Sequence, residues 1–207
     1  NWELIFFDNN SNDDSSKIIK SYKDKRIKYF YSKFVNLGLA RKKALNLCSG
    51  RFVAFLDCDD YWKKNKLKLQ VNDLLKNPSF GVSFSNSIFF NNKDRNLLYK
   101  KKPLDGYIFE ALLKKYYLSF DTILIDILFI KKLNEKFDKK FTIIHDLDLL
   151  IRLSQICKFK YINIPLSYWR IHNNSFSQNK MSIVNNEKKK ILIKLNKILK
   201  KNYDKER

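Results

Sequence analysis

The sequence predicts an α/β domain with a largely parallel sheet flanked by helices. Three observations predict it. Short apolar runs rich in β-branched and aromatic residues alternate with stretches of helical periodicity, the pattern of strands joined by helical crossovers. The run Arg51 to Leu56 is apolar after its first residue and ends at Asp57, as in a strand buried on both faces. The chain has 207 residues, 44% of them hydrophobic, with 17 Phe, 11 Tyr and 3 Trp, enough to build a core without staples; intrinsic disorder is excluded.

Taken in order, Trp2 to Phe7 reads as a strand closed by the turn-forming cluster Asp8-Asn9-Asn10-Ser11-Asn12-Asp13. Ser15 to Lys23 is a helix with Ile18, Ile19 and Tyr22 on one face. Arg26 to Tyr31 is a second strand, and Asn36 to Cys48 a helix closed by Gly50. After the central strand comes the acidic Asp57-Cys58-Asp59-Asp60, then a basic helix from Lys63 to Lys76 with Leu67, Val71, Leu74 and Leu75 facing inward. Phe80 to Phe90 alternates as a strand, Asn91 to Pro103 is a polar loop, and Tyr107 to Lys115 is helical. Thr122 to Ile130 reads as a strand, Asp146 to Cys157 as a helix and Lys160 to Ile164 as a short strand. From Met181 onward the chain is a Lys-rich helix with Leu and Ile spacing, and no segment repeats.

Composition narrows the function classes. The formal net charge is +21, but 35 of the 42 bases are Lys and only 7 are Arg, the residue that reads phosphate and guanine bidentately. With 22 Asn against 4 Gly and 4 Ala, the basicity follows AT-rich coding, and nucleic acid is not expected as a partner. The longest apolar stretch, Tyr116 to Ile130, is broken by Asp121 and Asp126 and is too short to span a bilayer. Asn1-Trp2-Glu3 lacks the basic start of a signal peptide. Cys48, Cys58 and Cys157 show no paired or metal-type spacing, so a reducing, cytoplasmic setting is expected.

The sharpest chemical signal is three carboxylates within four residues, placed just past the C-terminal end of the apolar strand. Ligands bind at that edge of open α/β sheets. Like charges so close need a cation, and oxygen ligands suit Mg²⁺ or Mn²⁺. Helix capping accounts for one Asp of the three. Asp146 and Asp148, two apart on a helix, point in nearly opposite directions and cannot share a metal; Asp148 and Arg152, four apart, read as a salt bridge.

These motifs, together with Trp2-Glu3-Leu4-Ile5 leading into Asp8, Asn36-Leu37-Gly38-Leu39-Ala40-Arg41, Gly50 through Trp62, His145-Asp146-Leu147-Asp148-Leu149 and the Arg170 to Ser175 segment, resemble the nucleotide-sugar-dependent glycosyltransferases of family 2, which have the GT-A fold. The resemblance runs from residue 1 to about residue 178 and implies transfer of a sugar from a nucleotide sugar, most often a UDP-sugar, usually with inversion. It implies that Asp57 contacts the donor ribose and Asp59 the divalent cation on the diphosphate. Asp8 matches the residue at the nucleotide base, with an ordinary Asx-turn as the alternative. His172 matches an Arg-x-His element near the metal or diphosphate, and Arg170 reads as a diphosphate contact or a structural ion pair. Arg41 reads most simply as part of a solvated helix face.

Asp146 matches the general base that takes the acceptor's proton, with helix capping as the alternative; many relatives carry Glu where this chain has His145. The resemblance also implies that the sequence begins at the family's second strand, as an N-terminally truncated domain whose first strand is missing. The organisation expected is a GT-A domain over 1–178 and a basic C-terminal helix over 179–207. The expected partners are the donor and a glycan or lipid-linked acceptor, with peripheral contact at the inner face of the membrane through that helix. A basic binding module and a non-catalytic transferase domain are the alternatives.

Overall fold

The protein is described from a computed structural model over residues 1–172 and 180–203. Fifteen regular elements follow one another: β1 (Leu4–Asp8), α1 (Ser15–Ser21), β2 (Ile27–Tyr31), α2 (Leu37–Leu47), β3 (Phe52–Ala54), β4 (Tyr61–Trp62), α3 (Lys66–Lys76), β5 (Phe80–Phe90), β6 (Arg95–Leu97), α4 (Phe109–Lys114), β7 (Leu124–Asp126), α5 (Ile127–Lys131), α6 (His145–Ser154), β8 (Lys158–Arg170) and α7 (Met181–Tyr203). β1 and β2 form a parallel pair. The remaining strands form a second sheet in the order β3-β7-β5-β8-β4, with β6 on the edge of β5.

That sheet is mixed, which corrects the expectation of a mostly parallel one. Its only parallel pairing among the described residues joins β5 to β8, while β3–β7, β5–β7, β4–β8 and β5–β6 are antiparallel. An apolar run shows that a strand is buried but not which way its neighbours run, so direction was not legible from β3 or β7. The run Thr122 to Ile130 also splits. Thr122 ends a 3₁₀ turn, β7 is three residues long, and Asp126 then caps α5 by accepting from Leu128 N at 3.0 Å. Arg51 pairs with the same carboxylate at 3.0 Å, tying the start of β3 to that cap.

The core gathers residues of α2, α4, α6 and α7 with those of the mixed sheet, around Val82, Phe84, Ile125, Leu149 and Phe159. α3 meets the sheet with an unexpected face: Lys66, Gln70 and Leu74 are buried, whereas Leu67 and Leu75 are exposed. The polar stripe is satisfied there, since Lys66 Nζ donates to Gln70 at 2.7 Å and Gln70 donates to the Thr122 carbonyl at 2.8 Å. Lys66 also stands 4.2 Å above the Trp62 ring.

α7 packs against this unit through Ile191 and Leu195 and reaches α6 through Glu187. Among the described residues no helix is long and apolar enough to cross a membrane.

Candidate active site

Asp57, Cys58, Asp59 and Asp60 form the turn between β3 and β4, at the C-terminal edge of β3. The turn is held from outside by the end of β8. The Arg170 backbone N–H donates to Asp60 Oδ1 at 2.8 Å, and its Nε donates to the Asp59 carbonyl at 3.1 Å. Tyr61 stacks on Tyr168 at 4.4 Å between ring centroids, locking β4 to β8 at the same place. Just beyond, His172 Nε2 lies 3.0 Å from Asp59 Oδ2. Burial pushes the Asp60 carboxyl up to about 7, against the Arg170 bond and with the help of Asp121, Asp59 and Asp57.

The Asp59–His172 pair suits a divalent cation in its chemistry. A carboxylate oxygen and an imidazole nitrogen converge on one point, and both side chains are partly open to solvent, at 41% and 38% exposure. Mn²⁺ accepts that mixed set readily, and Mg²⁺ takes the carboxylate. Among the described residues no group of three or more His, Cys, Asp or Glu side chains converges.

Arg41 connects this turn to α6. It projects from α2, whose start is capped by Asn36 accepting from Leu39 N at 2.9 Å. One guanidinium nitrogen holds Asp57 Oδ1 at 2.5 Å and the other holds His145 Nε2 at 2.7 Å. The side chain is only 11% exposed and lies over the Phe120 ring, so the expected solvated helix face is corrected. Gly38 makes the approach of α2 to α6 possible: a Cβ there would stand 2.7 Å from the Phe141 carbonyl and 3.2 Å from His145 Cβ.

Because guanidinium only donates, His145 Nε2 is the acceptor and the ring proton sits on Nδ1. That Nδ1 is buried with no partner among the described residues. Burial, reinforced by Arg41 and opposed by Asp146, pushes the His145 pKa down to about 4, so the ring is neutral at pH 7.

Asp146 is the second residue of α6 and is half-buried. Its Oδ1 accepts from Leu147 N at 2.8 Å and its Oδ2 from the Tyr116 hydroxyl at 2.8 Å. The chain just before α6 is held by Glu187 of α7, whose carboxylate accepts from Thr142 N at 2.7 Å and from Ile143 N and Ile144 N at 3.0 Å. Burial alone would raise the Glu187 pKa; these bonds outweigh it and hold the group below its ordinary value. Asp148 is buried against Arg152 at 2.6 Å, as its spacing predicts, and also meets Lys194 of α7 at 2.9 Å.

The structure thus brings Asp57, Asp59, Arg170 and His172 together, and Arg41 links that group to His145, the chain neighbour of Asp146. Asp8 stands apart. It is buried at the end of β1, with its two oxygens taken by Ser11 N at 2.8 Å and the Tyr29 hydroxyl at 2.7 Å. Burial raises its pKa, but those bonds bring it below the usual carboxylate range. No contact among the described residues links it to Asp57 or Asp59. Asn173, Asn174 and Ser175 of the last motif lie outside the described residues.

Sequence reasoning missed three contributors. Arg41 sat within a quoted motif, Tyr116 had no pattern, and Glu187 carried a signal that went unused as the lone acid in α7.

The sequence profile described as Glycosyl transferase family 2 matches residues 1–138. The chain belongs to that family. It is 30% identical over 183 residues to an Escherichia coli protein, UDP-Glc:alpha-D-GlcNAc-diphosphoundecaprenol beta-1,3-glucosyltransferase WfgD, with 87% of this chain and 70% of the relative covered. A second E. coli protein with that same activity in its name, WfaP, is 31% identical over 184 residues at the same coverage. Among solved structures, S. aureus TarS 1-349 in complex with UDP-GlcNAc matches with a TM-score of 0.70 and 18% identity, over 86% of this chain and 52% of that one. This family 2 chain therefore has the GT-A fold, and it spans about half the length of the TarS chain it matches.

Proposed function

We propose that this family 2 chain transfers a sugar from a UDP-sugar to an acceptor hydroxyl on a lipid-linked glycan, with inversion at the anomeric carbon. The observation that carries the proposal is the Arg41 fork. It ties the acidic turn after β3 to His145 at the start of α6, which supports reading the donor-type carboxylates and Asp146 as parts of one site. The names of the E. coli relatives, which specify UDP-Glc and a diphosphoundecaprenol-linked acceptor, support the choice of donor and acceptor class.

In this reading Asp57 takes the donor ribose, Arg170 the diphosphate, and Asp8 the nucleotide base. Asp59 and His172 hold Mn²⁺ or Mg²⁺, which as a Lewis acid lowers the cost of charge on the leaving diphosphate. Asp146 is the general base. As the acceptor oxygen bonds to the anomeric carbon, the carbon–diphosphate bond breaks with its electron pair leaving on UDP, and the hydroxyl proton moves to Asp146. Tyr116 and Leu147 N fix the carboxylate in place, and the positive end of α6 suits its charge. The work is done on the cytoplasmic side of the membrane, where a lipid-linked acceptor presents its sugar.

Calorimetric titration of UDP with and without Mn²⁺ tests the donor half. The parent binds UDP more tightly with the metal, and Asp59→Asn loses most of that gain. An unchanged Mn²⁺ dependence in Asp59→Asn contradicts the assignment.

A further inference from the structure

Between α4, α6 and α7 lies a cavity of about 270 Å³. Leu113, Leu147, Ile151 and Leu192 line it, and Lys114, Lys115 and Lys188 stand around them. The apolar wall is open to solvent: Leu113 is 38% and Leu192 55% exposed. None of the three lysines is ion-paired to a carboxylate among the described residues. Tyr116 also lines the cavity, and its hydroxyl is the group that donates to Asp146.

We infer that this groove seats the lipid end of the acceptor: the phosphate groups of an amphiphile and the first stretch of its hydrocarbon chain. The inference rests on Asp146 being the base. Tyr116 belongs both to the cavity's lining and to the hydrogen bond with Asp146, and the rest of the lining sets ammonium groups beside an apolar wall. A lipid-linked acceptor carries the matching groups, phosphate beside hydrocarbon. Charge decides between occupants. The cavity's lining carries three cations and no carboxylate, which suits a phosphorylated lipid and disfavours a neutral glycan or an acid-and-base-balanced peptide.

Open apolar walls of this kind attract hydrocarbon once the head group is fixed. The cavity is large enough for a short stretch of chain only, so the rest of the lipid stays in the bilayer and α7 lies at its surface.

Calorimetry with farnesyl diphosphate as the probe tests this, on the full 207-residue chain with UDP and Mn²⁺ at saturation to keep the probe off the donor site. The parent binds farnesyl diphosphate. The double variant Leu113→Glu/Leu192→Glu and the triple variant Lys114→Ser/Lys115→Ser/Lys188→Ser each weaken it by roughly tenfold or more, with UDP affinity as in the parent. All five side chains are exposed, and if the double variant does not fold, the triple variant decides.

Farnesyl diphosphate affinity unchanged in the variants overturns the inference, as does inorganic diphosphate binding as tightly as the farnesyl ester. Binding only to phosphatidylglycerol vesicles, with no farnesyl diphosphate binding, also overturns it and makes the surface a membrane-docking face. Absence of UDP binding in the parent would count against the donor reading alone, because the groove variants are read out separately.

Discussion

Arg41 bears more of the site than its place in the sequence suggests. Its two guanidinium bonds hold Asp57 on one side and His145 on the other, and a hydrogen bond to a charged group contributes about 1.5–3 kcal/mol. Arg41→Met is expected to lower kcat/KM roughly ten- to a hundredfold, and Arg41→Lys to recover only part, because one ammonium cannot replace a planar fork. Parent-like turnover in Arg41→Met would remove Arg41 from the account.

His145 makes a pH prediction. Its folded pKa of about 4 lies below the unfolded value near 6.5, so between these values the unfolded chain binds the extra proton. Stability is therefore full above pH 6.5 and falls by on the order of 3 kcal/mol as pH drops toward 4. Denaturant melts across that window check it: His145→Gln flattens this part of the profile, and an unchanged slope contradicts it. Asp57 and Asp59 stood out as candidates because like charges beside a strand end are unusual, whereas Asp146 came from the family resemblance, since an Asp at a helix start alone reads as a cap. The role of Arg41 was not legible, because a helix-borne Arg looks the same in sequence whether it faces water or a carboxylate a few residues past the next strand.

The elements show where local pattern stops informing. The sequence places β5, α2 and α7 closely, since long runs with clear period or a cap determine themselves. It holds over Leu124 to Asp126 but fails over Ile127 to Ile130, where an apolar run fits strand or buried helix and Asp126 decides by capping α5. It also misses the buried face of α3, because Gln70 finds its partner on the distant Thr122 carbonyl and Lys66 in turn bonds Gln70.

Glu187 is the element-scale device with the clearest consequence. Four donors from Thr142, Ile143 and Ile144 converge on its carboxylate, so a residue of α7 holds the entrance to the helix that carries Asp146. Glu187→Ala leaves buried N–H groups unpaired and is expected to cost about 1–3 kcal/mol. The melting temperature should fall by about 2–4 °C for each kcal/mol in a chain of this size. A melting temperature equal to the parent's would show that the cap is dispensable.

At the scale of the whole molecule, α7 joins the domain more closely than a basic appendage would. Ile191 and Leu195 sit in the core, Lys194 bonds Asp138 and Asp148, and Glu187 reaches α6. Deleting residues 181–207 is therefore expected to abolish the cooperative thermal transition; a truncated chain melting like the parent contradicts that packing.

The same arrangement gives the proposed function its form, in which the donor is held at the turn after β3 and the acceptor's proton is taken at the start of α6. The most direct test measures UDP released from UDP-glucose and UDP-GlcNAc in Mn²⁺ with membrane lipid extract as acceptor, for the parent and Asp146→Asn, alongside UDP affinity. The account predicts turnover lower in Asp146→Asn by on the order of 10²-fold or more, with UDP affinity unchanged. Normal turnover in that variant, or UDP affinity lost in step with activity, would contradict it.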